Sequence, residues 1–186
     1  LTDQAIAYVT ALAATSQPGE AQFQIERALA SSPNNAALQD ALGTLLAQQQ
    51  RYPEATLHFQ QAIAIDQALA SAHFHLGSVW FAQHDSANAI ASLTEANRLA
   101  PANLDYLLQL GRALRAAGQD QQALATFRHA LELAPSSIDA KYELALTLQA
   151  TGHPRDALPY FEQVAAAHPR DAPTLINYAL ALVQLG

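Results

Sequence analysis

The sequence predicts an all-α chain built as a row of stacked helical hairpins. Three observations carry that expectation: a 34-residue period through nearly the whole length, helical apolar spacing inside each period, and turn signals at the same place in each. A fixed repeat of about 20 to 50 residues marks a stacked repeat fold more firmly than local propensity does. Half of the 186 residues are apolar, enough for a substantial interior, and the wealth of Ala and Gln favours helix over strand.

The period is read from columns. Ala21, Ala55, Ala89, Ala123 and Ala157 are 34 apart, and each is followed four residues later by a large apolar residue: Ile25, Phe59, Leu93, Phe127 and Phe161. Pro33, Pro101, Pro135 and Pro169 share a second column, in which Gln67 replaces the missing proline. The units run about 2–35, 36–69, 70–103, 104–137 and 138–171, with a lone first helix at 172–186, all within one domain spanning 1–186.

Within each unit the first helix is expected to stop where Gly118 and Gly152 stand, since glycine accepts the left-handed conformation that ends a helix. Ser86 and Asp120 are expected to cap the second helices, and the prolines, which lack an N–H, end them. The two helices can approach closely only at side chains small enough to let them cross. Val9, Gly43, Gly77, Gly111, Ala145 and Ala179 form that column on the first helices, and Ala28, Ala62, Ala96, Ala130 and Val164 on the second. Leu42, Leu46, Leu76, Trp80, Leu110, Leu114, Leu144 and Leu148 fill the space beside the crossings.

The segment from Leu110 to Pro135, LGRALRAAGQDQQALATFRHALELAP, resembles the tetratricopeptide repeat column by column, and the likeness covers nearly the whole chain. The first unit departs most, with Tyr8 and Val9 in place of the usual Leu–Gly pair. The resemblance implies a right-handed superhelical α-solenoid of five repeats plus one helix, whose first helices line a concave groove that accepts a peptide or extended protein segment. The physics agrees, because a lone hairpin cannot bury its apolar face and neighbours must stack.

Charge narrows the partners. Sixteen acidic residues against nine basic ones give −7 with no basic cluster, so nucleic acid and anionic membrane are not expected. No apolar run reaches the roughly 18 to 20 residues that span a bilayer, and Leu1 to Ser16 lacks the pattern of a signal peptide. A soluble chain is expected, in the cytoplasm rather than the periplasm. The absence of cysteine removes disulfides and thiolate sites without fixing the compartment.

No phosphate-binding loop, dinucleotide fingerprint, nucleophile elbow or zinc-protease motif occurs, so no enzyme activity and no cofactor are expected. Nor is a metal site: His73 and His75 point about 200° apart on a helix, and the other histidines are scattered. Asp3, Glu54, Asp105 and Asp139 fall at helix starts, where the helix dipole explains them.

First-helix residues not used in packing are the candidate partner contacts: Phe74, His75, Ser78, Phe81, Leu108, Gln109, Arg112, Arg115, Tyr142, Glu143, Leu146, Ile176 and Asn177. Asp40, Thr44, Gln48, Gln149 and Leu180 share those positions. Phe74, Phe81, Arg112, Arg115 and Tyr142 lead, because interfaces concentrate energy on aromatic and Arg residues. Arg112 is expected to pair with Glu143 or Asp139 in solvent, whereas Arg115 has no evident partner in the sequence. The Lys and Asn set with which some family members grip a C-terminal carboxylate is absent, the matching places holding Asp40, Thr44, His75, Asp105 and Gln109.

Leu175, Tyr178, Leu182 and Leu185 should leave an apolar face on the last helix, because no second helix follows it. Either the protein continues past Gly186, which is favoured and accords with a start at Leu rather than Met, or the helix docks on a second copy. The leading function is a protein-interaction module binding a peptide or extended segment. The alternatives are the substrate-recognition part of a larger bacterial enzyme, such as a glycosyltransferase, sulfotransferase or polysaccharide-synthesis component, and a self-assembling scaffold.

Overall fold

The computed structural model describes residues 18–185. The expected first helix of the opening unit, including Asp3, Tyr8 and Val9, lies outside the described residues, as does Gly186. The described residues contain ten helices and no strand, in two compact units that divide between Ala100 and Pro101.

In the first unit α1 is Pro18–Ser31, α2 Ala36–Gln48, α3 Tyr52–Ile65, α4 Ala70–Ala82 and α5 Ser86–Leu99. The second holds α6 Leu104–Ala116, α7 Asp120–Leu133, α8 Ile138–Ala150, α9 Pro154–Ala167 and α10 Ala172–Val183. Even-numbered helices are the first helices of the repeats and odd-numbered ones the second. α3, α7 and α9 each pack against their own first helix and the next one, while α1 packs on α2 and α5 on α4, which is α-solenoid hairpin stacking.

The first helices end alike, for a local reason. Residues 50, 84, 118 and 152 are left-handed, with φ of 61° at Gln50, 62° at His84, 72° at Gly118 and 80° at Gly152. Beside them Arg51, Asp85, Gln119 and His153 donate their N–H groups five residues back, at 2.8–3.0 Å, to Leu46, Trp80, Leu114 and Leu148. That is a Schellman stop repeated four times, twice without the glycine that suits it.

It also moves the expected caps. The residue after the left-handed one is the cap, so Asp85 rather than Ser86 accepts from the Asn88 N–H, and Asp120 is the first residue of α7, following Gln119. A second capping column was not anticipated as such: Asn35, Asn103, Ser137 and Asp171 each accept from a backbone N–H at the start of a first helix. Leu69 interrupts it, one unit away from each neighbour.

The core lies between paired helices. Phe59, Leu93, Phe127 and Phe161 are fully buried, together with the alanines four residues before them. A Cβ placed on Gly43 would come 2.6 Å from the Phe59 ring, one on Gly77 would come 2.7 Å from Leu93, and one on Gly111 would overlap the Phe127 ring. The small column is therefore a notch that receives the large residue of the second helix.

Candidate functional site

The candidate contacts lie on the first helices, where each unit builds its own polar stitching between successive repeats. In the first unit Asp40, on α2, is buried and accepts from the Ser71 hydroxyl at 2.7 Å and from His75 Nδ1 at 2.8 Å, both on α4. Thr44 donates to the Asp40 carbonyl, and its hydroxyl lies 3.3 Å from His75 Nδ1. The His75 ring is 5.6 Å from Phe59 and from Phe74. His75 is thus a seated, half-buried histidine that joins two repeats, and His73 turns away to meet the Gln67 carbonyl at 3.1 Å.

An apolar cavity of about 250 Å³ opens beside it, lined by Thr44, Ala47, Gln48, Tyr52, Phe59, His75, Ser78, Val79 and Ala82. It exists because Ala47, Ser78 and Ala82 are small where α2, α3 and α4 meet. The sequence reading placed Thr44, Gln48, His75 and Ser78 on this face but missed the hollow. Its signal is a gap in the pattern, three short side chains facing the rings of Tyr52, Phe59 and His75, visible only once three helices are assembled. Phe74 and Phe81 are half-buried on the same helix.

In the second unit Glu143 of α8 accepts from two guanidiniums of α6, Arg112 Nε and Arg115 Nη2, each at 2.6 Å. Two expectations are corrected here. Arg115 does have a partner, because one helical turn brings residues 112 and 115 to the same edge and a carboxylate has two oxygens to offer. The pair is not a solvated one either, since Glu143 is only 6% exposed and carries its charge under cover of both arginines. Arg115 Nε is itself buried and finds no partner among the described residues.

Leu108 is 5% exposed and belongs to the core of this unit, not to a contact surface. Tyr142 stands edge-on to Phe161 with ring centres 6.4 Å apart, and its hydroxyl accepts from Asn177 Nδ2 at 3.1 Å. Gln149 donates to the Asn177 carbonyl. Gln109 and Leu146 remain half-buried, and Ile176 is open to solvent. A larger hollow of about 490 Å³ lies beside Tyr142, bounded by Ile138, Asp139, Val164, His168, Asp171, Pro173 and Thr174.

Among the described residues no group of three or more His, Asp or Glu side chains is placed to hold a metal ion, and no helix is long and apolar enough to cross a membrane. Profiles described as TPR repeat and Tetratricopeptide repeat match residues 43–84, 104–147 and 142–186. The chain belongs to the tetratricopeptide repeat family.

Solved tetratricopeptide structures share the fold. A thermophilic TPR protein of Thermus thermophilus is 20% identical over 98% of this chain and 100% of its own, with a TM-score of 0.73. YrrB, described as a TPR protein with an unusual peptide-binding site, is 21% identical over 92% of this chain and 88% of its own, with a TM-score of 0.76. MamA from Desulfovibrio magneticus is 18% identical over 91% and 97%, with a TM-score of 0.79. No curated protein matches the tetratricopeptide chain in sequence.

Proposed function

We propose that this chain is a non-catalytic protein-interaction module that holds an extended segment of another protein on the first-helix faces of its repeats. The observation that carries the reading is the apolar cavity beside His75, which is the size of one side chain and opens on that face. Concave apolar hollows ringed by a few fixed polar groups are what ligand side chains enter. The Asp40–Ser71–His75 stitching fixes the rim before any partner arrives, so little ordering cost falls on this chain when it binds. In the second unit Gln109, Arg112, Leu146, Ile176 and Asn177 offer a mixed face of the kind that a polypeptide contacts, in keeping with the peptide-binding site that the structure of YrrB is described as having.

The test is selection of a displayed random-peptide library on the 186-residue protein, followed by calorimetric titration of the consensus peptide. Ala82→Trp places a large ring at the cavity mouth from an exposed position and should lower affinity at least tenfold without changing the melting temperature. A consensus peptide that binds Ala82→Trp as tightly as the parent protein would reject the assignment of the site.

A further inference from the structure

The bridge on the first-helix face of the second unit sets two cations against one anion. Arg112 Nε and Arg115 Nη2 each donate to a different oxygen of Glu143, and among the described residues neither guanidinium pairs with a second carboxylate. The cluster therefore keeps one net positive charge, in a chain whose formal charge is −7. The arginine side chains remain 38% and 32% exposed, while the carboxylate they share is buried. A guanidinium carries five N–H donors. Arg112 spends only Nε among the described residues, which leaves Nη1 and Nη2, the pair of donors that a carboxylate accepts side by side. Arg115, whose Nε is buried, holds Glu143 from the other side.

We propose that Arg112 determines specificity on this face by taking an Asp or Glu side chain of the bound segment, so that the partner is acidic at that position. This rests on the first-helix faces being partner-binding, and it names what one of them recognises. One arginine suffices to neutralise Glu143, and the other is surplus charge that a partner's carboxylate can meet. The surroundings do not meet it. Asp139, one turn before Glu143 on α8, pairs with neither arginine. Asp105, the other charged residue of α6, is seven positions from Arg112, about 10 Å along the helix and beyond the screening length of about 8 Å in physiological salt. Gln109 stands one turn before Arg112, Leu146 one turn after Glu143, and α10 has no Asp, Glu, Lys or Arg. With uncharged contacts continuing along both helices, a segment runs past the cation instead of ending on it, and the carboxylate it offers is a side chain. Complementary charge of this kind fixes register and selects partners more than it adds affinity.

The test selects a displayed random dodecapeptide library on the 186-residue protein and titrates the consensus peptide by calorimetry. The consensus should hold Asp or Glu at one fixed position, and replacing that residue by its amide should weaken binding about tenfold. Forms with a free and with an amidated C terminus should bind alike. Arg112→Gln leaves Glu143 paired with Arg115, takes the cluster from one positive charge to none, and should weaken the consensus peptide by a similar factor. Glu143→Gln takes the cluster to two positive charges and should tighten the same peptide severalfold, even as it lowers the melting temperature. A bridge with a purely structural role would instead weaken binding in both variants, because both loosen the same face. If Glu143→Gln does not fold, salt decides: affinity for the parent protein should fall as NaCl rises from about 50 to about 500 mM, and that for Arg112→Gln should fall less. The inference is overturned by a consensus without an acidic position, by equal binding to parent and Arg112→Gln, by weakening in both variants, or by a free C terminus that binds tenfold more tightly than the amide. Each of these leaves the first-helix faces as the partner-binding surface, whereas a library that yields no binding peptide overturns both.

Discussion

A single Cβ tests the notch at the level of residues. Gly111→Ala would drive a methyl into the Phe127 ring, and overpacking of a set core costs about 1–3 kcal/mol. Ala145 faces Phe161 in the next hairpin and is accommodated there, so the outcome expected at Gly111 is a lowered melting temperature with the fold retained, read by circular dichroism. Burial likewise depresses the affinity of half-buried His58 for a proton, below its ordinary value of 6.5. The neutral ring is favoured in the folded chain and the charged ring in the unfolded one. His58 therefore contributes stability that is present above about pH 6.5 and lost as pH falls toward its lower folded value. Melting curves of His58→Gln should decline less than those of the parent protein across that window. The small columns and the large buried column from Ile25 to Phe161 were legible in the sequence because each recurs five or six times. The Arg112–Glu143–Arg115 bridge was half legible: the 31-residue spacing of Arg112 and Glu143 announced one bond, but the second depends on how two long side chains share an edge.

Elements follow the repeat with local exceptions that cost stability. Pro159 stands inside α9, exposed, where the repeat offers Ala91 and Ala125 at the equivalent places. A proline there removes the hydrogen bond to the Arg155 carbonyl and crowds it, at a cost of about 3 kcal/mol in a helix interior. Pro159→Ala should raise stability by about 1–3 kcal/mol in denaturant titration; an unchanged midpoint would show that α9 has already relaxed around the ring. Helix ends were legible to within two residues where glycine or proline punctuates them. Caps were less so, since Ser86 and Asp120 look like caps by type, yet the left-handed residue two positions earlier decides where the second helix begins. The cavity on the first-helix face was illegible for a different reason. It is a deficit of side-chain volume where three helices meet, and no one helix carries it.

At the scale of the whole molecule, packing within each unit passes only between neighbours, and the side-chain bonds that join successive first helices link residues about one period apart. In such an array protection from hydrogen exchange tracks how many neighbours cover each helix. Within the second unit α8 is covered by α7, α9, α6 and α10, whereas α10 touches only α8 and α9 and has Val183 76% exposed. The amides of α10 should therefore exchange fastest among the helices of this unit, and those around Leu144 and Leu148 slowest. Phe161→Ala removes the buried ring of α9 and should cost about 3–5 kcal/mol, raising exchange in α8, α9 and α10 together.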